Sequence, residues 1–173
     1  MDVGQIDTLL AKQSTDWDEI FAEVNEWRGT CLHHFSVVEV AVAETLLALS
    51  EVSSAAIPLR HLIGQRLEDL TAATAAGGPF EEAGKTAQVE LLHYRERHEH
   101  FRNLLCHGLV KITVERGGRW MLVMRVLAFR SGKADRVVLV LDQNEAAARL
   151  ESLKRDAQKL GSVLGQLRKA AVG

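Results

Sequence analysis

The sequence predicts a mainly α-helical fold: an up-down bundle of about four helices, with a small three-stranded antiparallel β-meander inserted before the C-terminal helix. Three observations carry that expectation. Apolar residues recur in steps of three and four over long stretches, which marks one face of a helix. The period switches to strand-like runs after Gly108 and returns to helical spacing after Asp142. Pro is rare, at 2 residues, and Gly moderate, at 13, so no low-complexity linker divides the 173 residues. We read one domain over 1–173.

Residues 1–13 read as weakly helical or frayed. Asp16 followed by Glu19 has the form of a capping box. The stripe Trp17, Ile20, Phe21, Val24, Trp27, Cys31, Phe35, Val38, Val42, Leu46, Leu49 and Val52 then predicts a long helix over 17–52, with Gly29 as a point of bending. Ser53, Ser54 and Pro58 separate it from a second helix over 58–76, because Pro suits a first helical turn. Its inward residues are Leu59, Leu62, Ile63, Leu67 and Leu70, and Gly77–Gly78–Pro79 stops it. A third helix covers 80–107, with Gly108 as its C-terminal cap. Strands follow over 109–115, 120–129 and 137–141, joined by a hairpin at Gly117–Gly118 and a turn over Ser131–Asp135. Asp142 and Glu145 form a second capping box. It opens a helix over 143–170 whose apolar stripe is Leu150, Leu153, Ala157, Leu160, Leu164 and Leu167.

Apolar residues make 47% of the chain and charged residues 25%, which excludes a disordered or collagen-like polypeptide. No apolar run reaches the roughly 18 residues needed to span a bilayer. The N-terminus lacks a basic segment followed by an apolar one, so no secretory signal is read there. Two cysteines, Cys31 and Cys106, make neither a disulfide framework nor a Cys-rich zinc site, and a reduced cytoplasmic setting is expected. The net charge of −2 conceals a split. Residues 1–92 hold 5 basic and 15 acidic side chains, and residues 93–173 hold 16 and 8. That suits an anionic partner on the C-terminal half, and equally suits packing of the halves or of two copies. Four helices and a short sheet leave apolar surface to spare, which favours a homodimer.

Four of the seven histidines fall in the segment HYRERHEHFRNLLCHG, residues 93–108. At about 100° per residue, with Arg102 at zero, Asn103, Glu96, His107, His100 and His93 occupy one side, from roughly 100° to 180°. Tyr94, Phe101, Leu105 and Leu91 occupy the other. The imidazole-rich stripe runs to the last turn, where the helix dipole is negative. A metal site is not read here. His93, His100 and His107 are about 10 Å apart along the axis, too far for one ion, and Glu90-Leu-Leu-His93 has no second Glu-x-x-His partner. No cofactor is implied. Cys106 reads as a buried small thiol rather than a nucleophile. Gly117–Gly118 lacks the spacing of a phosphate loop, and His33–His34 carries no assigned role.

The segment Arg102-Asn103-Leu104-Leu105-Cys106-His107-Gly108 resembles the Arg-Asn-x-x-x-His-Gly signature of HEPN domains (higher eukaryotes and prokaryotes nucleotide-binding). That family is an α-helical bundle with the motif late in one helix, and many members resemble metal-independent endoribonucleases, several of them toxins or defence effectors. The resemblance implies catalytic roles for Arg102 and His107, with Asn103 as supporting polar residue. It also implies a homodimer in which two motifs face each other, an RNA substrate, and an antitoxin or regulatory protein as partner. The three strands depart from the minimal bundle. The chemistry stands on its own terms. Imidazole moves the proton of a ribose 2′-hydroxyl, and guanidinium stays charged and forks onto phosphate oxygens, so no metal is required. Arg102 and His107 lie about 140° apart on one ideal helix, which favours pairing Arg from one copy with His from another. Arg95, His100, Lys111 and Arg119 are candidate RNA contacts. The alternative is a non-catalytic HEPN-like interaction or nucleotide-binding module.

Overall fold

The computed structural model describes residues 3–115, 117–130 and 133–172, with side chains at 17–115, 117–127 and 134–171. It is mainly helical, with a three-stranded sheet immediately before the last helix, as expected. Helix α1 spans Val3–Val52, α2 Ile63–Thr74, α3 Glu81–Tyr94 and α4 His100–His107, and a π-helical turn, Arg95–Glu99, joins α3 to α4. Strands β1 (Leu109–Val114), β2 (Trp120–Arg130) and β3 (Lys133–Asp142) precede α5 (Gln143–Val172). Two compact units emerge: residues 1–32 with 103–150, and residues 33–102 with 151–173.

The first unit is built around the sheet. The strands are antiparallel in the order β1-β2-β3, with Val114 opposite Trp120 and Arg130 opposite Lys133. Trp120, Leu122, Met124 and Leu141 form its buried face. Against them α1 sets Val24, Trp27 and Cys31, spaced three and four apart. The Trp27 and Trp120 rings lie 6.3 Å apart at 53°, and the Trp27 indole donates to the Ala146 carbonyl at 2.8 Å. Gly118 takes a positive φ of 79° in the β1–β2 turn, a conformation glycine adopts without strain. The capping box at α5 is realised in both directions. Asp142 N–H donates to Glu145 Oε2 at 3.0 Å, and Glu145 N–H donates to Asp142 Oδ1 at 2.8 Å.

The second unit is helical. Phe35, Val38, Val42, Leu46 and Leu49 of α1 are buried, as are Leu67 and Leu70 of α2. Leu91, Tyr94 and Phe101 join them from the α3–α4 arm, and Leu153, Leu160, Leu164 and Leu167 from α5. The buried series Gly84, Ala87, Leu91, Tyr94, His98 and Phe101 keeps its three-four rhythm through the π turn. Gly84 is where α3 meets the end of α2. A Cβ there would lie 2.5 Å from Thr74 Cγ2, and Thr74 is 2% exposed. Gly84→Ala is therefore expected to destabilise by about 1–2 kcal/mol, overpacking exceeding the gain in helix propensity. A melting curve reads this, and an unchanged or higher midpoint would contradict the close approach.

Several boundaries differ from expectation. Helix α1 runs unbroken from Val3 through Asp16, so Asp16 lies within the helix rather than at its N-cap. A capping box needs an interruption upstream, and no Pro or Gly lies between Gly4 and Gly29. The second helix starts at Ile63 rather than 58. Arg60 clasps Asp69 through Nε at 2.8 Å and a terminal nitrogen at 2.6 Å, and Arg66 Nε donates to the Arg60 carbonyl at 2.8 Å. These bonds hold residues 58–62 outside the helix, with Leu62 extended at ψ 136°. Leu59 and Leu62 consequently face solvent, 57% and 61% exposed, instead of the core. The third helix is interrupted by the π turn. Cys106 is exposed, while Cys31 is buried. Strand β3 begins at Lys133 rather than 137, because backbone pairing extends into a polar stretch that no apolar pattern marks. The turn assigned to Ser131–Asp135 falls partly on 131–132, outside the described residues.

Candidate functional site

Helix α4 carries the motif. It ends at His107, and the Gly108 N–H still donates to the Leu104 carbonyl at 2.8 Å, so close that a Cβ at 108 would collide with it. The chain then enters β1 directly. His93, Glu96, His100, Asn103 and His107 are all exposed, so the polar stripe read from the sequence faces water.

Arg102, in the helical unit, is held. Its side chain is 22% exposed, and Nε and a terminal nitrogen approach Glu39 Oε1 at 2.9 and 2.8 Å. Glu39 comes from α1, one position beyond the buried Val38. Phe35, Ile63, Leu67, Tyr94 and His98 line a recess beside this pair of about 20 Å³, room for about one water molecule and too small for a base. Any anionic group that engages Arg102 would therefore have to reach it from outside and compete with Glu39. Burial pushes the Tyr94 phenol well above its ordinary range, and the nearby Glu39 carboxylate adds to the shift.

Behind Arg102 the π turn holds a second polar cluster that sequence reasoning missed. His98 is 5% exposed, and its Nε2 lies 2.8 Å from Asp156 Oδ2 of α5. Arg97 reaches the same oxygen at 3.1 Å and donates to the Ser152 hydroxyl at 2.8 Å. Burial lowers the His98 pKa, outweighing the carboxylate, and Arg97 also opposes its protonation. Burial by itself would raise Asp156. The His98 hydrogen bond and the Arg97 charge outweigh it, so its carboxyl sits below the usual range. Neutral imidazole thus donates to a carboxylate whose counter-charge is Arg97. Both residues left a trace in the sequence: His98 falls at about −40° on the ideal wheel, amid Tyr94, Phe101 and Leu105, and Asp156 interrupts the Leu153–Leu160 rhythm. Glu39 left none.

The other predicted contacts are dispersed. Arg95 Nε donates to Glu99 at 3.0 Å and a terminal nitrogen to Thr71 Oγ1 at 3.1 Å, so its guanidinium is turned along its own helix and onto α2. Lys111 lies on the outer face of the sheet, opposite Val123. Arg119 is 72% exposed and bonds Glu115 at 3.0 Å across the β1–β2 turn. His100 is exposed on α4. Among the described residues no cluster of three or more His, Cys, Asp or Glu side chains is arranged to hold a metal ion, and no helix is long and apolar enough to cross a membrane. Comparison with known proteins returns no matching family model, no matching curated protein and no matching solved structure.

Proposed function

We propose that the chain is a HEPN-like, metal-independent endoribonuclease that acts as a homodimer. Its role is that of a toxin or a defence and stress effector in the cytoplasm, restrained by an antitoxin or regulatory protein. The observation that supports this reading is an exposed His107 in the last turn of the helix that also carries Arg102, a guanidinium reachable at the surface. His107 takes the proton from a 2′-hydroxyl as its oxygen bonds the adjacent phosphorus. The P–O5′ bond breaks, a proton goes to the departing 5′-oxygen, and a 2′,3′-cyclic phosphate remains. Arg102 stabilises the charge that develops on the phosphate oxygens, and Asn103 orients the backbone.

Single-stranded RNA incubated with the protein in EDTA is expected to yield fragments ending in 2′,3′-cyclic phosphate. Intact RNA, or cleavage abolished by the chelator, would overturn the proposal. The Arg102–Glu39 pair favours a second reading, a non-catalytic interaction or nucleotide-binding module in which Arg102 is structural. Glu39→Gln separates the two. Removing the competing carboxylate raises RNA affinity by up to about 5-fold on the nuclease reading and leaves it unchanged on the other.

A further inference from the structure

One face of the sheet packs on α1; the other is open. Along it Leu109, Leu127, Val138 and Val140 are 64%, 56%, 55% and 47% exposed. Three cations cross this outer face on a diagonal. Lys111 of β1 stands opposite Val123, Arg125 of β2 opposite Leu109 and Val138, and Arg136 of β3 opposite Leu127. Each step of the series moves one strand over and two residues along, about 8 Å, which sets Lys111 and Arg136 about 17 Å apart. All three are exposed, and among the described residues none is paired with a carboxylate. Cations elsewhere behave differently: Arg60, Arg95, Arg97 and Arg102 each hold a carboxylate of this chain. The described carboxylate of this face, Asp142, sits at a corner opposite Met121 and is committed to the α5 capping box.

A line of unpaired positive charge is complementary to a chain of regularly spaced anions. An amphipathic protein helix suits the face less well. The cations split its aliphatics into two patches, Leu109 with Leu127 on one side and Val123 with Val138 and Val140 on the other, whereas a docked helix needs one continuous apolar band. A nucleic-acid duplex would leave both patches against phosphate and water. A single strand uses both features, its phosphates following the cations and its unstacked bases resting on the aliphatics that flank them. We propose that the outer face of the sheet binds a single strand of nucleic acid along Lys111, Arg125 and Arg136. The described side chains of the face include no aromatic platform, so the strand is held by its backbone and its sequence is read weakly.

The track adjoins the end of α4. A Cβ on Gly108 would lie 3.4 Å from the Arg125 carbonyl oxygen, so β2 passes beside the residue that follows His107, within one compact unit. That the strand held there is the one cut at His107 rests on the nuclease reading; the binding surface itself does not.

Three phosphate contacts on a single strand contribute about −2 to the slope of log affinity against log salt. Fluorescence anisotropy of a labelled oligothymidylate with the full chain reads that slope, and this probe has no 2′-hydroxyl, so it is bound without being cut. Arg125→Gln combined with Arg136→Gln is expected to weaken binding and to flatten the slope by about 1.4, with unchanged helicity by circular dichroism. Lys85→Gln, which removes an exposed cation of α3, is expected to leave the slope unchanged. No binding by the native chain, a slope indifferent to the double substitution, an equal flattening in Lys85→Gln, or equal binding of a duplex or of polyglutamate would overturn the inference. RNA cleavage by the same samples is scored separately. Binding without cleavage removes the nuclease and leaves the surface, whereas cleavage whose KM ignores the double substitution does the reverse.

Discussion

His107→Ala is expected to slow RNA cleavage by roughly 10²–10⁴-fold, the usual contribution of a positioned proton-transfer group. Its stability should remain within about 0.5 kcal/mol of the native chain, because the side chain is exposed. That pairing of results is diagnostic, since lost activity with an unchanged melting curve cannot come from misfolding. Arg102→Ala should also abolish cleavage, but it leaves the Glu39 carboxylate, 31% exposed, without this guanidinium and so lowers stability as well. Arg102→Lys is the sharper probe. It keeps the charge and loses the fork, so activity should remain low if bidentate phosphate contact matters. Fragment release from a labelled RNA, in the presence of chelator, reads all three. Equal cleavage by the native chain and His107→Ala would mean that the activity belongs to something else.

Asp156→Ala should be the most destabilising of these changes, by about 3 kcal/mol, because it strands His98 and part of Arg97 without their acceptor. For a chain of this length that corresponds to a melting point lower by roughly 6–12 °C. The same cluster predicts a pH dependence. His98 is held below its ordinary value of 6.5 in the folded chain, so as the pH falls below 6.5 the unfolded state takes up a proton that the folded state refuses. The contribution of His98 is complete above 6.5 and is lost progressively toward the lowered folded value. Asp156, also lowered, adds a further loss at more acidic pH, below 3.8. Urea midpoints measured from pH 7.5 down to 5 should therefore decline in the native chain and decline less in His98→Gln. A native midpoint that is flat, or that rises on acidification, would contradict a neutral buried imidazole.

The arm from Glu81 to His107 shows what was legible and what was not. Its inward and outward faces were readable at 100° per residue, since the alternation of Leu91, Tyr94 and Phe101 with His93, Glu96 and His100 is local geometry. The π turn in its middle was not, because one changed hydrogen-bond ring leaves no mark on composition. Helix α2 failed differently. Leu59 and Leu62 have the spacing of core residues, yet Arg60 and Arg66 hold that segment out of the helix through bonds to Asp69 and to backbone carbonyls. Pairing between side chains up to nine residues apart is invisible to a periodicity argument. Arg102 likewise was legible as a motif member, while its engagement by Glu39, 63 residues away, was not.

The amino-acid order by itself determined the mainly helical class, the change of period at Gly108, the capping box at Asp142 and the outward stripe of His93, His100 and His107. Each depends on residues within one or two turns of each other, where spacing alone decides the energy. Only the tertiary structure decided that Glu39 holds Arg102, that Asp156 buries His98 and that Lys111, Arg125 and Arg136 align across one sheet face. Those outcomes depend on which distant surfaces meet, and burial of charge or apolar area has no value until that meeting is specified.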